Sequence, residues 1–340
     1  MREPRAYDAA MSSDRLTSHG SPPSFALGLV TLGATGLVVS SAGLGCGGHS
    51  RLGLAGGGSE ADAELVVRAA LERGVTLVDT APAYGTEAVV GRAIAGRRDE
   101  VVVSTKVSVR TPDGTRVDPA TIPDSVAESL RRLGTDRVDV LLAHGIQTED
   151  LTFVREHVVP QLIDLRDRGM TRSIGATEWF SIDPLHLALR SVVVDDPWPE
   201  VVMTGYNLLN QSARTAVMEP AAARGIGVLV MYAVRRSLTD VDRFQAVVDA
   251  LADDGEIDRS ALESFGPMRS LLDHPGVVSL TDAAYRFARH EPGGHPVLFG
   301  TGNTAHLDAN LSAMSAEPLP RQLVAQLEQL FGRVSSATGD

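Results

Sequence analysis

Four side chains have types and places that suit proton transfer. Asp79, Lys106 and His144 each end a short apolar run, and Tyr84 follows Asp79 by five residues. A free tyrosine has a pKa of about 10, too high for an efficient acid near neutral pH. A nearby ammonium favours the phenolate and lowers that value. A carboxylate would hold the ammonium in place and keep it charged. An imidazole would orient a substrate carbonyl by hydrogen bonding. Together the four would protonate an alkoxide as hydride reaches its carbon. The lysine also stands out by itself: the chain has 31 Lys and Arg residues, and every one but Lys106 is Arg. Arg keeps its proton and spreads its charge over a broad fork, whereas Lys is a compact charge with a tunable pKa. Position 106 therefore reads as one that needs an ammonium.

These residues need a frame that brings them to one point. Apolar runs rich in Val, Leu and Ile recur at 42–45, 76–79, 101–106, 138–142, 173–177, 201–204, 227–231 and 297–300. Each is bounded by Gly, Asp or Pro, as strands buried on both faces should be. Amphipathic stretches lie between them, at 59–73, 123–133, 154–168 and 218–224, and glycines 74, 134, 169 and 225 stop them. Strand–helix alternation repeated eight times predicts an α/β fold, a closed parallel (β/α)8 TIM barrel. Periodicity alone also admits a doubly wound open sheet. In a barrel, active sites collect at the C-terminal strand ends. Asp79, Lys106 and His144 would then sit at the mouths of three consecutive strands, with Tyr84 just beyond. Two pieces fall outside the eight units. Residues 29–32 and 37–40 flank Gly33-Ala34-Thr35-Gly36 and predict a β-hairpin before the first barrel strand. Residues 234–294, between the seventh and eighth strands, contain at least three helical segments and predict a long insertion at the ligand-binding face.

The bulk numbers narrow the partners. A length of 340 residues suits one barrel with insertions. The net charge of -12 argues against nucleic acid or an anionic membrane as partner, since both select basic surfaces. A small molecule is the expected partner. The single cysteine, Cys46, permits no internal disulfide, and nothing resembles a zinc site, so no metal is expected. No apolar run reaches the roughly 18 residues of a membrane span. Residues 1–25 are polar, rich in Ser and Pro, and lack the apolar centre of a signal peptide. They read as a disordered extension ahead of a barrel domain at 26–335, and the expected compartment is the cytoplasm.

The segments Val78-Asp79-Thr80-Ala81-Pro82-Ala83-Tyr84-Gly85, Ser104-Thr105-Lys106 and Leu141-Leu142-Ala143-His144 carry a resemblance. With the hairpin, Gly43-Leu44-Gly45-Cys46-Gly47-Gly48 and Gly205-Tyr206-Asn207-Leu208-Leu209-Asn210, the chain resembles the aldo-keto reductases from about residue 29 to about residue 310. The resemblance implies an NAD(P)-dependent oxidoreductase that reduces an aldehyde or ketone reversibly, a sugar carbonyl among the options. It assigns Tyr84 as general acid/base, Lys106 as modulator of its pKa, Asp79 as partner of Lys106, and His144 as the carbonyl-orienting donor. It also implies a nicotinamide cofactor extended across the barrel mouth, NADP(H) by family default and NAD(H) as the alternative. Contacts to it are implied for Gly47, Gly48 and Asp79, for Thr177, Glu178 and Met203, and for Tyr232, Ala233, Val234 and Arg235. After the eighth strand they are implied for Gly300, Thr301, Gly302, Asn303, His306 and Asn310. His49 and Trp179 join Tyr84 and His144 as substrate contacts, with Phe180 and the 234–294 insertion as further pocket candidates.

The cofactor side departs from the family pattern. Where the family has Ser-Asn to hold the nicotinamide carboxamide, this chain has Thr177-Glu178, and Glu lacks the amide donor. Met203 stands where Gln is usual. No Lys or Arg follows the eighth strand to meet a 2′-phosphate; His306 is the local cation, with Arg235 and Arg236 across the mouth. The altered carboxamide clamp supports one rival: a weakly catalytic, cofactor-binding regulatory barrel, like the potassium-channel β subunits of that family.

Overall fold

The computed structural model describes residues 25–340. The extension expected over 1–25 thus lies, but for Phe25, outside the described residues. The strands are β1 (Leu29–Thr31), β2 (Val38–Ser40), β3 (Ala42–Gly45), β4 (Leu77–Asp79) and β5 (Val102–Ser108). They continue with β6 (Val138–Ile146), β7 (Thr171–Glu178), β8 (Val201–Gly205), β9 (Gly227–Met231) and β10 (Val297–Phe299). Strands β3 to β10 close a parallel barrel in sequence order, β10 pairing back onto β3. The open sheet is excluded. β1 and β2 form the expected antiparallel hairpin, with Leu29 opposite Ser40.

Strand alternation sets the site one layer above an apolar plug. Leu77, Val140, Leu142, Val201, Met203, Leu229 and Leu298 form one buried cluster, joined by Leu32, Leu37 and Val39 of the hairpin segment. The hairpin segment caps one end of that interior, and the Ala34 N–H anchors its turn on the Gly225 carbonyl at 2.7 Å. A step of two residues along each strand leads from Leu77 to Asp79, from Ser104 to Lys106 and from Leu142 to His144. The same face that carries the core therefore carries the chemistry at its C-terminal end. β6 runs four residues beyond its predicted limit, and its ladder with β7 shifts register between Ala143 and Ile146. His144 sits in that irregular stretch, opposite Ser108.

The outer helices follow the sequence signals with two corrections. The helix Glu60–Glu72 is capped by Ser59, which accepts the Asp62 N–H, and Ile122–Leu133 ends at a left-handed Gly134. The stretches predicted as helices at 154–168 and 218–224 contain Pro160 and Pro220. Each proline is preceded by a π-helical turn, Val154–Val158 and Arg214–Met218. Proline has no N–H to donate and its ring crowds the carbonyl a turn earlier, so the wider turn accommodates it. The insertion holds three helices, Val241–Asp253, Arg259–Phe265 and Leu280–Arg289. Phe244 of the first packs against Phe331 of the last helix, Arg321–Phe331, with ring centroids 5.8 Å apart. Beyond that helix the chain returns to the loops that follow β8 and β9. The side-chain amides of Asn210 and Asn207 donate to the carbonyls of Ala337 and Thr338, and Ser237 donates to that of Gly339. Among the described residues, no helix is long and apolar enough to cross a membrane.

Candidate active site

Asp79, Tyr84, Lys106 and His144 converge at the base of a cleft. Lys106 Nζ donates to both carboxylate oxygens of Asp79, at 2.7 and 2.8 Å, and to the Thr80 carbonyl at 2.8 Å. All three ammonium protons are thereby placed. The same nitrogen lies 4.8 Å from the centroid of the Tyr84 ring. Tyr84 Oη is 3.5 Å from His144 Nε2, and the two rings meet edge to face with centroids 5.7 Å apart. Asp79 and Lys106 are buried beneath, whereas Tyr84 and His144 border the cleft. Tyr84 reaches this place on a short turn, Pro82–Tyr84, closed by left-handed Gly85. Its ring lies flat against the backbone at Gly47, where a Cβ would approach the ring to 2.6 Å. Gly47 thus shapes the site through the closeness of its backbone.

The electrostatics correct one expectation. Burial pushes the Tyr84 phenol above its ordinary value, and the Lys106 ammonium pulls it only part of the way back. The expected net lowering therefore does not hold. Burial by itself lowers the Lys106 pKa, but Asp79 and Tyr84 outweigh it and hold the ammonium above the usual lysine value. Burial, with help from the Lys106 charge, lowers the His144 imidazole to about 3. The site therefore holds a charged lysine, a protonated tyrosine and a neutral histidine near neutrality. That combination can donate one proton and one further hydrogen bond to an oxygen at the cleft base.

The cleft measures about 1410 Å³. Drug-sized ligands fill about 300–1,000 Å³, so a longer molecule lying across the barrel mouth is accommodated. Gly47, Gly48 and His49 line one side, and Tyr232, Val234 and Arg235 another. Thr177 and half-exposed Trp179 form a third wall. Gly300, His306 and Asn310 line the far end, Asn310 Nδ2 donating to the Gly300 carbonyl at 3.4 Å. Thr301, Gly302 and Asn303 shape that end from behind. The Thr301 hydroxyl donates to the Asn303 carbonyl, Gly302 backs onto Gly53, and Asn303 caps the helix Thr304–Ser315 by accepting the His306 N–H. Ala233 is buried beside Tyr232. Tyr232 itself adopts a left-handed φ of 64°, uncommon for an aromatic residue. Its ring faces the Arg235 guanidinium at 4.0 Å. The insertion contributes Val278, Ser279, Asp282 and Tyr285 to the lining.

Two residues expected at the cofactor do not present their side chains to the cleft. Met203 packs inside the barrel with Leu142 and Leu229, in the apolar layer beneath the site. The side chain of Glu178 is wholly buried and turned toward His186, so only its main chain borders the cleft. The Thr177 hydroxyl, expected to face a carboxamide, donates to the Glu178 carbonyl at 3.0 Å.

Other features were missed. His186 gave no signal because its partners lie 8 and 26 positions away and share no motif with it. Asp340 clamps Arg235 through Nε and Nη2 at 2.8 and 2.9 Å and approaches His49 at 3.4 Å. Arg110 lines the cleft while buried Asp150 and Glu149 hold its guanidinium. A phenylalanine–tyrosine contact, Phe180 against Tyr232 with centroids 5.4 Å apart, stiffens the wall near Thr177.

Comparison with known proteins agrees with this architecture. A model of the Aldo/keto reductase family matches residues 44–331. The aldo-keto reductase YhdN of Bacillus subtilis is 32% identical over 191 residues, covering 54% of this chain and 55% of that protein. L-galactose dehydrogenase of Arabidopsis thaliana is 32% identical over 212 residues, 59% of this chain and 63% of its own. The chain spans about half the length of the curated relatives it matches. The holo form of an aldo-keto reductase from Bacillus halodurans superposes with a TM-score of 0.67 at 23% identity, over 92% of this chain and 100% of that one. At that identity the likeness speaks for the fold.

Proposed function

This chain belongs to the aldo/keto reductase family, and we propose that its cleft reduces the carbonyl of a small aldehyde or ketone, reversibly, with a nicotinamide dinucleotide. A nicotinamide, when bound, supplies hydride in one direction and accepts it in the other. The chain's own residues handle the oxygen. Tyr84 donates its proton to the oxygen as negative charge develops there. Neutral His144, with its proton on Nε2, gives the same oxygen a hydrogen bond. Lys106 stabilises the phenolate left behind, and Asp79 keeps Lys106 oriented and charged.

The observation that carries this reading is the Tyr84–Lys106–Asp79–His144 cluster at the base of a cleft whose volume of about 1410 Å³ leaves room for a dinucleotide. Gly47 and Gly48 would let the ligand approach the backbone, and Tyr232 would flank the nicotinamide ring. His306 and Asn310 would lie near the distal nucleotide. NADP(H), the family's default, is the favoured cofactor, and NAD(H) is the alternative because residues 299–310 carry no Lys or Arg to meet a 2′-phosphate. Sugar carbonyls are favoured among substrates, since similar proteins bear names such as L-galactose dehydrogenase and D-threo-aldose 1-dehydrogenase. Buried, unpaired Cys46 suits work in the reducing cytoplasm.

The test is Tyr84→Phe, assayed over a panel of carbonyls and alcohols with both nucleotides. Removing a general acid costs about 10²–10⁴-fold in rate, while nucleotide binding should persist. Undiminished turnover would refute the assigned proton donor.

A further inference from the structure

We propose that His186 is a positioning residue for the cleft: doubly protonated, it holds the Glu178 carboxylate out of the cleft and backs the aromatic wall of Phe180 and Tyr232. The proposal rests on reading the cleft as a nicotinamide site.

Hydrogen-bond accounting places the protons. Asn210 Nδ2 donates to the carbonyls of Ala337 and Pro184, at 2.9 and 3.3 Å. Its Oδ1 therefore accepts, from the Ser212 N–H at 3.1 Å and from the Ser212 hydroxyl at 2.6 Å. Two oxygens that both only accept would repel at that separation. The single hydroxyl hydrogen of Ser212 lies on this contact rather than on the longer one to the Pro184 carbonyl, 3.1 Å away. Ser212 Oγ then offers only a lone pair to His186 Nε2, 3.0 Å away, so Nε2 is a donor. On the other side of the ring, Nδ1 lies 2.9 and 2.8 Å from the two carboxylate oxygens of Glu178. Oε1 of that group already accepts the Gly205 N–H at 2.7 Å and the Thr204 hydroxyl at 2.9 Å. Such an environment suits a carboxylate rather than a carboxylic acid. Nδ1 is a donor as well. The ring thus bears two protons and forms, with Glu178, an ion pair without exposed surface.

The pair is joined to the cleft wall. Phe180 stacks on the His186 ring, with centroids 5.1 Å apart and planes at 13°. The same phenyl meets Tyr232 edge to face at 89°. Gly205 makes room for it, because a Cβ there would overlap the Phe180 ring. Without its cation, Glu178 would be a buried charge lacking a counter-ion, which is strongly unfavourable. Release toward the cleft is open to it, because its own backbone borders that space. A carboxylate entering there would take the space of the nicotinamide amide and loosen the aromatic wall.

The experiment compares wild type, His186→Leu, Glu178→Gln and the double variant. Binding of NADPH and of NADH is followed by the quenching of tryptophan fluorescence, to which Trp179 at the cleft contributes alongside Trp198. His186→Leu should raise Kd by about tenfold or more, with kcat at saturating nucleotide changed by less than about threefold. Adding Glu178→Gln removes the stranded charge and should return Kd to near the wild-type value. A double variant as weak as His186→Leu would overturn the proposal, because simple loss of packing predicts no rescue. Nitrogen NMR of the wild type should show both His186 nitrogens protonated at neutral pH, and Glu178→Gln should restore a neutral ring. An unprotonated ring nitrogen in the wild type would also overturn it. If the wild type bound neither nucleotide, the nicotinamide reading would fall and this role with it, while the NMR result would still report whether the ion pair exists.

Discussion

Lys106 spends all of its hydrogen bonds inside the protein, on both oxygens of Asp79 and on the Thr80 carbonyl, and still lies 4.8 Å from the Tyr84 ring centroid. The ammonium acts on Tyr84 as a fixed charge, held by a carboxylate it cannot leave. Removing it by Lys106→Met leaves Asp79 buried and unpaired, and should destabilise the fold by about 3–5 kcal/mol. Asp79→Asn combined with Lys106→Met should recover much of that loss in denaturant melts. Lys106→Arg keeps the charge but not the compact geometry, and turnover should fall by about 100-fold or more.

The pH dependence follows from the shifts at the cleft base. Reduction needs Tyr84 protonated, and burial has raised its pKa, so the proton is lost only on the alkaline side of the ordinary tyrosine range. His144 is lowered to about 3 and stays neutral above that pH. The rate of carbonyl reduction should therefore be flat from about pH 5 to 9. Alcohol oxidation needs the phenolate and should rise with pH across the same range. An inflection in reduction near the ordinary histidine value would show that His144 titrates normally.

Gly47 gives a purely steric test. A methyl group there would meet the Tyr84 ring at 2.6 Å and displace it. Misplacing a catalytic group by about 1 Å can cost about 100-fold in rate, so Gly47→Ala should reduce kcat by that order with the fold intact. Gly56→Ala is the control, since a Cβ there meets nothing within 4 Å. Equal activities for the two variants would place Tyr84 elsewhere in the working enzyme.

Arg235 is held by Asp340 at the cleft mouth. Burial raises the Asp340 carboxyl, but Arg235 outweighs it and keeps the group below the usual range. A clamped guanidinium is less available to a phosphate. Asp340→Asn should tighten NADPH binding by about threefold, the scale of one partly exposed ion pair. The gain should shrink at high salt. Weaker binding in that variant would mean that Asp340 positions Arg235 for the ligand.

Much of the site could be read before the fold was seen. Asp79 ends β4, Lys106 and His144 lie two residues before the ends of β5 and β6, and the period of two along each strand keeps them in phase with the apolar interior. The eight runs, the hairpin and the helical insertion follow from the same local patterns. Element ends were less legible. Pro160 and Pro220 lie inside stretches read as uninterrupted helices, and the π-helical turns that accommodate them appear only in the structure. The same holds for the placement of Glu178 and Met203, which only the family resemblance had pointed to the cleft.

The sequence by itself determined the strand–helix alternation and which four side chains could cluster, because periodicity and strand-end placement are local properties carried by neighbouring residues; closure of the barrel chose against the open sheet. Tertiary structure decided the rest. It set whether burial or the Lys106 charge prevails at Tyr84, since desolvation depends on everything packed around the ring. It turned Glu178 to His186 and brought Asp340 to Arg235, 105 positions away. Those pairings join residues with no common motif, and only the folded chain brings them within hydrogen-bonding distance.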